Sequence, residues 1–175
     1  MSQLSSWCRW GLSDGLARFN DMPRDEAEQQ LRECFASRAW AGRVADGRPY
    51  AGLAQVLAAC DSAWVELAPV DWMAALAAHP RIGEKGGHAP ESSELEQSSV
   101  RSAAAETMAA LAEGNRRYEE RFGHVFLISA AGRTADEILA ALRERIRNDP
   151  GTEVAVAASE LRKIARLRLE RMLSG

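Results

Sequence analysis

Three histidines serve this 175-residue chain, and one of them stands where a helix has to stop: Ala78-His79-Pro80-Arg81-Ile82-Gly83. The residue before a proline is pushed out of the helical region, so the apolar stripe preceding it ends near His79. An imidazole titrates near neutrality, and one held at the end of an element can deliver or accept a proton during a reaction. The same placement also suits a plain helix cap that bonds carbonyls and offsets the dipole. A little further along lies Ser93-x-x-Glu96-Gln97. Ser93 and Glu96 have the spacing of a capping box, which predicts a helix N-terminus at Ser93. Gln97 has no part in a capping box. Amides at a helix start also suit the oxyanion of a ligand, so this turn can cap a helix and line a pocket at once.

Arg168 is the third candidate. It follows Ile164 by four residues and Leu161 by seven, and precedes Met172 by four, which places it within the apolar stripe of the last helix. Arg166 falls instead with Arg162 and Glu170, where an i,i+4 ion pair accounts for it. An inward arginine needs an acceptor, because an unpaired buried charge is very costly. An internal carboxylate would serve, and so would an anionic or carbonyl-rich ligand held by the guanidinium fork. His88 sits in a glycine-rich stretch that reads as exposed, and His124 follows Gly123 at a turn. No compact ligand spacing links the three histidines, so a metal-dependent hydrolase built on them has no support. Walker and G-x-G-x-x-G fingerprints are both missing.

These residues need a scaffold, and the periodicity supplies a helical one. Stripes at Ala27-Leu31-Cys34-Phe35, Leu53-Val56-Leu57-Cys60 and Trp72-Met73-Leu76-Ala77 predict three helices. From Arg81 to Ser93 the chain reads as a loop. Val100, Ala104, Met108 and Leu111 open a further helix that Gly123 ends. Val125 to Ile128 is a short apolar run, either a buried strand or an extended segment. Ala135–Arg147 is helical, Asn148-Asp149-Pro150-Gly151 is a turn, and the last helix runs from about Glu153 to Leu173. The expected architecture is an all-α, single-domain multi-helix bundle over residues 16–175, with an N-terminal extension at 1–15.

Composition agrees with a globular protein: 46% apolar residues, 27% charged residues and a net charge of −3. Nothing here points to nucleic acid or to an anionic membrane. The C-terminal arginines alternate with Glu153, Glu160 and Glu170, which reads as a solvated helical face. Cys8, Cys34 and Cys60 are odd in number and lack C-x-x-C spacing, which fits a reducing compartment and argues against disulfides or structural zinc. No apolar run reaches the roughly 18–20 residues of a membrane span, and neither end carries a recognisable address. A cytoplasmic location is the expectation.

With these residues in hand, the chain resembles the 2-oxo-4-hydroxy-4-carboxy-5-ureidoimidazoline (OHCU) decarboxylases of urate breakdown, over roughly Leu16 to Leu173. The likeness rests on Phe19-Asn20-x-Met22-Pro23, Trp40, His79-Pro80-Arg81-Ile82-Gly83 and Ser93-x-x-Glu96-Gln97. It continues through Asn115-x-x-Tyr118-x-x-x-Phe122-Gly123-His124-Val125-Phe126-Leu127-Ile128 and the ending Lys163-Ile164-Ala165-Arg166-Leu167-Arg168-Leu169. His124 and Val125 depart from the family, where an apolar residue and a proline are common. The resemblance implies an all-helical carboxy-lyase that uses no cofactor or metal and converts OHCU to (S)-allantoin and carbon dioxide. It implies His79 as catalytic acid with Glu96 and Arg168 in the site. It implies a ligand lined by Pro80, by the Ser93-Glu94-Leu95-Glu96-Gln97 turn and by Ile128-Ser129-Ala130-Ala131-Gly132, and it allows a homodimer. The competing expectation is a non-catalytic helical module that binds a ureide or small anion, using Arg168 and the helix start but with no need of His79.

Overall fold

The computed structural model describes residues 7–84, 87–98, 100 and 103–175, with the backbone alone for 7–13. Met1–Ser6 of the expected extension, the Cys8 side chain and Gly86 lie outside the described residues. Nine α-helices and no strand occur among the described residues: α1 (Trp7–Asp21), α2 (Arg24–Cys34), α3 (Arg38–Asp46), α4 (Leu53–Val65), α5 (Pro69–Ala77), α6 (Pro90–Glu96), α7 (Ala105–Phe122), α8 (Ala135–Arg145) and α9 (Pro150–Ser174). None of them singly is long and apolar enough to cross a membrane. The chain divides into two compact units, one of residues 1–72 with 165–175 and one of residues 73–164.

In the first unit the stripe of α2 buries Ala27, Leu31 and Cys34, while Asp25 and Glu26 occupy its first turn and Arg32 its last, each the sign the helix dipole favours. Ser37 caps α3 by accepting from Trp40 N. Trp40 then packs edge-on to Phe35 at 5.4 Å and donates its indole N–H to the Cys60 carbonyl at 3.0 Å. Phe19-Asn20 turns out to be a structural clasp. Asn20 donates to the Tyr50 carbonyl and accepts from the Tyr50 amide, both at 2.9 Å, and Arg48 donates to the carbonyls of Phe19, Met22 and Ala45. Gly15 lies so close to the end of α9 that a Cβ there would sit 1.9 Å from the Leu173 carbonyl oxygen. Only glycine permits that approach.

The second unit is built around Leu111, Tyr118, Phe126, Ile138 and Leu142, which α7, α8 and the segment after Gly123 bring together. Gly114 lets α8 approach α7, since a Cβ there would meet Leu142 Cδ2 at 2.5 Å. Gly123 closes α7 in the left-handed conformation, φ +75°, with its amide donating to Glu119 O at 2.8 Å. Val125 to Ile128 belongs to no helix and pairs with no strand among the described residues.

Several boundaries differ from the sequence expectation, each for a local reason. The capping box does not lie at Ser93: α6 starts at Pro90, whose fixed φ and missing N–H suit a first helical position, so Ser93 sits mid-helix and Glu96 at its end. A true capping box is at Thr134 and Glu137, opening α8. Pro150 likewise starts α9 rather than preceding it, with Asp149 accepting from Thr152 N at 3.0 Å. Val100 is buried but lies before α7, which begins at Ala105. On α5 the buried pair is Ala75 and Leu76, whereas Met73 is 39% exposed.

Candidate active site

His79 lies two residues past Ala77, the last residue of α5, and is buried at 6% exposure. Its amide donates to Leu76 O at 3.1 Å, and its Nδ1 lies 2.8 Å from the Ala75 carbonyl. A carbonyl only accepts, so this contact puts a proton on Nδ1 and leaves Nε2 as the atom through which the ring exchanges a proton. Cap and proton carrier are thus compatible roles of the same ring.

The loop after His79 is held at three points. Gly83 N donates to Gln97 Oε1 at 2.7 Å, the Ile82 carbonyl accepts from Asn115 Nδ2 at 3.1 Å, and Arg81 grips Glu119 with Nε at 2.5 Å and Nη2 at 2.8 Å. Two of these anchors come from α7 and one from the residue that ends α6. Gly83, at φ +90°, adopts a backbone conformation that a side chain would strain. Gly87 adopts another at φ +82°, and a Cβ there would fall 2.5 Å from Pro80 Cδ. This close turn brings His88 back, its amide donating to Ala78 O at 3.0 Å and its ring 4.7 Å from that of His79. His88 is therefore half-buried against His79, not exposed. His124 is buried too, edge-on to Tyr118 at 5.5 Å.

Ser93 and Glu96 of α6 and its C-cap Gln97 are all buried, at i, i+3 and i+4. Glu94 is half-buried and Leu95 is 61% exposed, so the expected five-residue lining splits between two faces. The segment Ile128–Gly132 splits likewise: Ile128 and Ala130 are buried, Ser129 is half-buried, and Ala131 and Gly132 are exposed. Its end is a tight turn, with Arg133 N donating to Ala130 O at 3.0 Å and Gly132 at φ +78°. That positive φ at the third position is the one a type II turn demands.

Arg168 belongs to the other unit. It is 4% exposed and donates to the Glu33 carbonyl at 3.4 Å, while Arg166 is exposed and pairs with Glu170 at 3.0 Å. The face assigned from the stripe is the face observed.

The reading of the α9 glutamates requires correction. Glu153 is 0% exposed and Glu160 is 7% exposed, so neither lies on a solvated face. Glu153 binds Arg145 at 2.6 Å, Asn148 at 2.8 Å and the Tyr118 hydroxyl. Arg145 in turn donates to the Leu127 carbonyl at 2.7 Å and stacks over Phe126. Glu160 accepts from the Ser129 amide at 2.8 Å and from Lys163 at 2.6 Å. Burial pushes the Glu160 carboxyl up, but the bonds from Lys163 and Ser129 outweigh it and hold the group below the usual carboxylate range. The signal was present in the sequence: Glu160 precedes Ile164 by four, the same arithmetic that placed Arg168.

Among the described residues, no group of three or more His, Cys, Asp or Glu side chains is arranged to hold a metal. Cys34 and Cys60 are buried thiols, and burial pushes Cys60 up to about 12, which keeps it from acting as a nucleophile at neutral pH. A cavity of about 400 Å³ lies beside the Arg81–Glu84 turn against α7, and its walls include none of the expected ligand-lining residues.

The family model for OHCU decarboxylase matches residues 20–170. The uric acid degradation bifunctional protein TTL of Arabidopsis thaliana is 31% identical over 159 residues, covering 87% of this chain and 49% of its own length. The chain thus spans about half of that relative. The 2-oxo-4-hydroxy-4-carboxy-5-ureidoimidazoline decarboxylase of Haloferax volcanii is 28% identical over 162 residues, covering 91% of this chain and 96% of its own. Among solved structures, an OHCU decarboxylase crystallised in the presence of (S)-allantoin superposes with a TM-score of 0.74 at 30% identity, over 84% of this chain and 99% of that one.

Proposed function

Since the chain belongs to the OHCU decarboxylase family, we infer that it is a carboxy-lyase converting OHCU to (S)-allantoin and carbon dioxide in urate degradation. The observation that carries the mechanism is the state of His79: buried, fixed through Nδ1, and seated on a loop anchored at three points. OHCU bears its carboxylate and hydroxyl on one ring carbon, beside a ring C=N. When the carboxylate leaves as carbon dioxide, its electron pair moves through the ring onto the C=N nitrogen, which takes up a proton. Tautomerisation then converts the hydroxyl carbon to a carbonyl and adds a proton to the ureido-bearing carbon. Delivery of that proton to one face sets the handedness of allantoin.

The substrate carries its own electron sink, so the protein's task is orientation, charge stabilisation and proton placement. His79 Nε2 is the proposed donor, since an imidazole suits proton transfer at neutral pH. Glu96 binds N–H edges of the ureide. Gln97, whose Oε1 holds Gly83, offers its amide N–H to carbonyl edges. Arg168 holds carboxylate or carbonyl oxygens in its planar fork. Pro80, the Ser93-Glu94-Leu95-Glu96-Gln97 turn and the segment Ile128–Gly132 line the ligand. A homodimer is the assembly proposed, and light scattering reads it directly.

The test follows freshly generated OHCU with the protein dialysed against chelator. Accelerated loss of OHCU with matching carbon dioxide release is the expected result. Tight allantoin binding without faster loss of OHCU would favour the non-catalytic module. Activity that vanishes with a stoichiometric metal would remove the cofactor-free mechanism.

A further inference from the structure

The two buried glutamates of α9 stand seven residues apart, on one face of the helix, and both hold the same short non-helical stretch, one directly and one through an arginine. Glu160 takes the Ser129 amide directly, at 2.8 Å. Glu153 takes Arg145, and Arg145 takes the Leu127 carbonyl at 2.7 Å. Ile128 is therefore gripped at the peptide bond on either side of it. These are backbone groups of a segment with no strand partner among the described residues, so no sheet ladder among them holds it in place.

We propose that Glu160 is a positioning residue of the active site: by binding the Ser129 amide it fixes the backbone of the ligand-lining segment Ile128–Gly132. The proposal rests on the functional reading above, which puts that segment against the ligand. A buried carboxylate satisfied by an amide and a lysine is a firm anchor, because charge-assisted hydrogen bonds are short and strong. Glu160 accepts with both oxygens, Oε2 from Ser129 and Oε1 from Lys163 at 2.6 Å. The lysine ammonium is half-exposed, so it compensates the carboxylate's charge while the amide contact is the one that shapes the segment.

The experiment compares Glu160→Ala, Glu160→Asp and Glu160→Gln with the parent protein. It reads kcat and KM on OHCU, circular dichroism, and hydrogen exchange at the Ser129 amide. Glu160→Ala removes the acceptor, and Glu160→Asp keeps the charge but withdraws it by one methylene. Both should raise KM, about tenfold for Ala as for one lost hydrogen bond, with kcat changed less than threefold and faster exchange at Ser129. Glu160→Gln retains an acceptor oxygen and should restore KM to within about threefold of the parent. If Glu160→Ala fails to fold, Glu160→Asp decides. A folded Ala or Asp variant with parental KM overturns the positioning role, as does a loss of kcat that Gln does not rescue. A parent protein without OHCU turnover would instead remove the functional reading. The Ser129 exchange rates would then test the anchor alone, and equal protection in all variants would overturn it.

Discussion

His79 shows how one side chain carries a structural and a chemical role together. Its Nδ1 is committed to Ala75 O, a capping contact, and that commitment settles which nitrogen handles the exchanged proton. Pro80 made the position legible in sequence, because a proline sets where α5 must stop. Ser93 was misread for an equally local reason. The S-x-x-E spacing fits a capping box, but Pro90 starts the helix three residues earlier and leaves Ser93 and Glu96 on its buried face. The partners of a loop fold in from far along the chain, so no local pattern showed that Asn115, Glu119 and Gln97 hold the turn after His79. His79→Asn should keep the fold and lose roughly 10²–10⁴-fold in turnover, the loss of a positioned proton donor. Steady-state kinetics with circular dichroism as the folding control checks this, and parental turnover would reduce His79 to a cap.

Helix α9 is where sequence pattern and structure agree at one position and part at another. The stripe through Leu161, Ile164 and Met172 placed Arg168 inward and Arg166 outward, and burial follows that division. Glu153 and Glu160 escaped the same arithmetic because alternating charges look like a solvated face until their buried partners are known. Those partners are Tyr118 and Arg145 for Glu153, 35 and 8 residues away, and the Ser129 amide for Glu160, 31 residues away. Arg166→Ala should cost about 0.5 kcal/mol or less, as exposed i,i+4 pairs do. Arg168→Lys keeps the charge but loses the planar fork, so it should weaken allantoin affinity and turnover without changing helicity. Equal, small effects at both positions in kinetics, allantoin affinity and thermal unfolding would take Arg168 out of the site.

At the scale of the molecule, helical periodicity was enough to establish the all-α class, since every stripe had the period of a helix and none that of a strand. The division of contacts into two units was not legible, because stripes show which face is buried and not what buries it. Each unit holds one of the two tyrosines, and both are buried. Burial pushes Tyr50 up to about 12, and burial with the bond to Glu153 raises Tyr118 further. A raised folded value contributes stability that is complete below the unfolded value near 10 and is lost as pH rises through the folded one. Tyrosinate absorbance should therefore stay near zero at about pH 10 while the protein keeps its helicity, and appear for both residues as it unfolds. About a quarter of the full signal at pH 10 with native circular dichroism would mean that one tyrosine is accessible, since a free phenol is half ionised there.

The central claim, that this chain places one proton on one face of a decarboxylated ring, is tested most directly by the chirality of the allantoin formed from fresh OHCU. Spontaneous decay yields a racemate, so the optical activity of the product separates catalysis from background. The account predicts (S)-allantoin formed in proportion to protein concentration. Racemic allantoin at every protein concentration would contradict it.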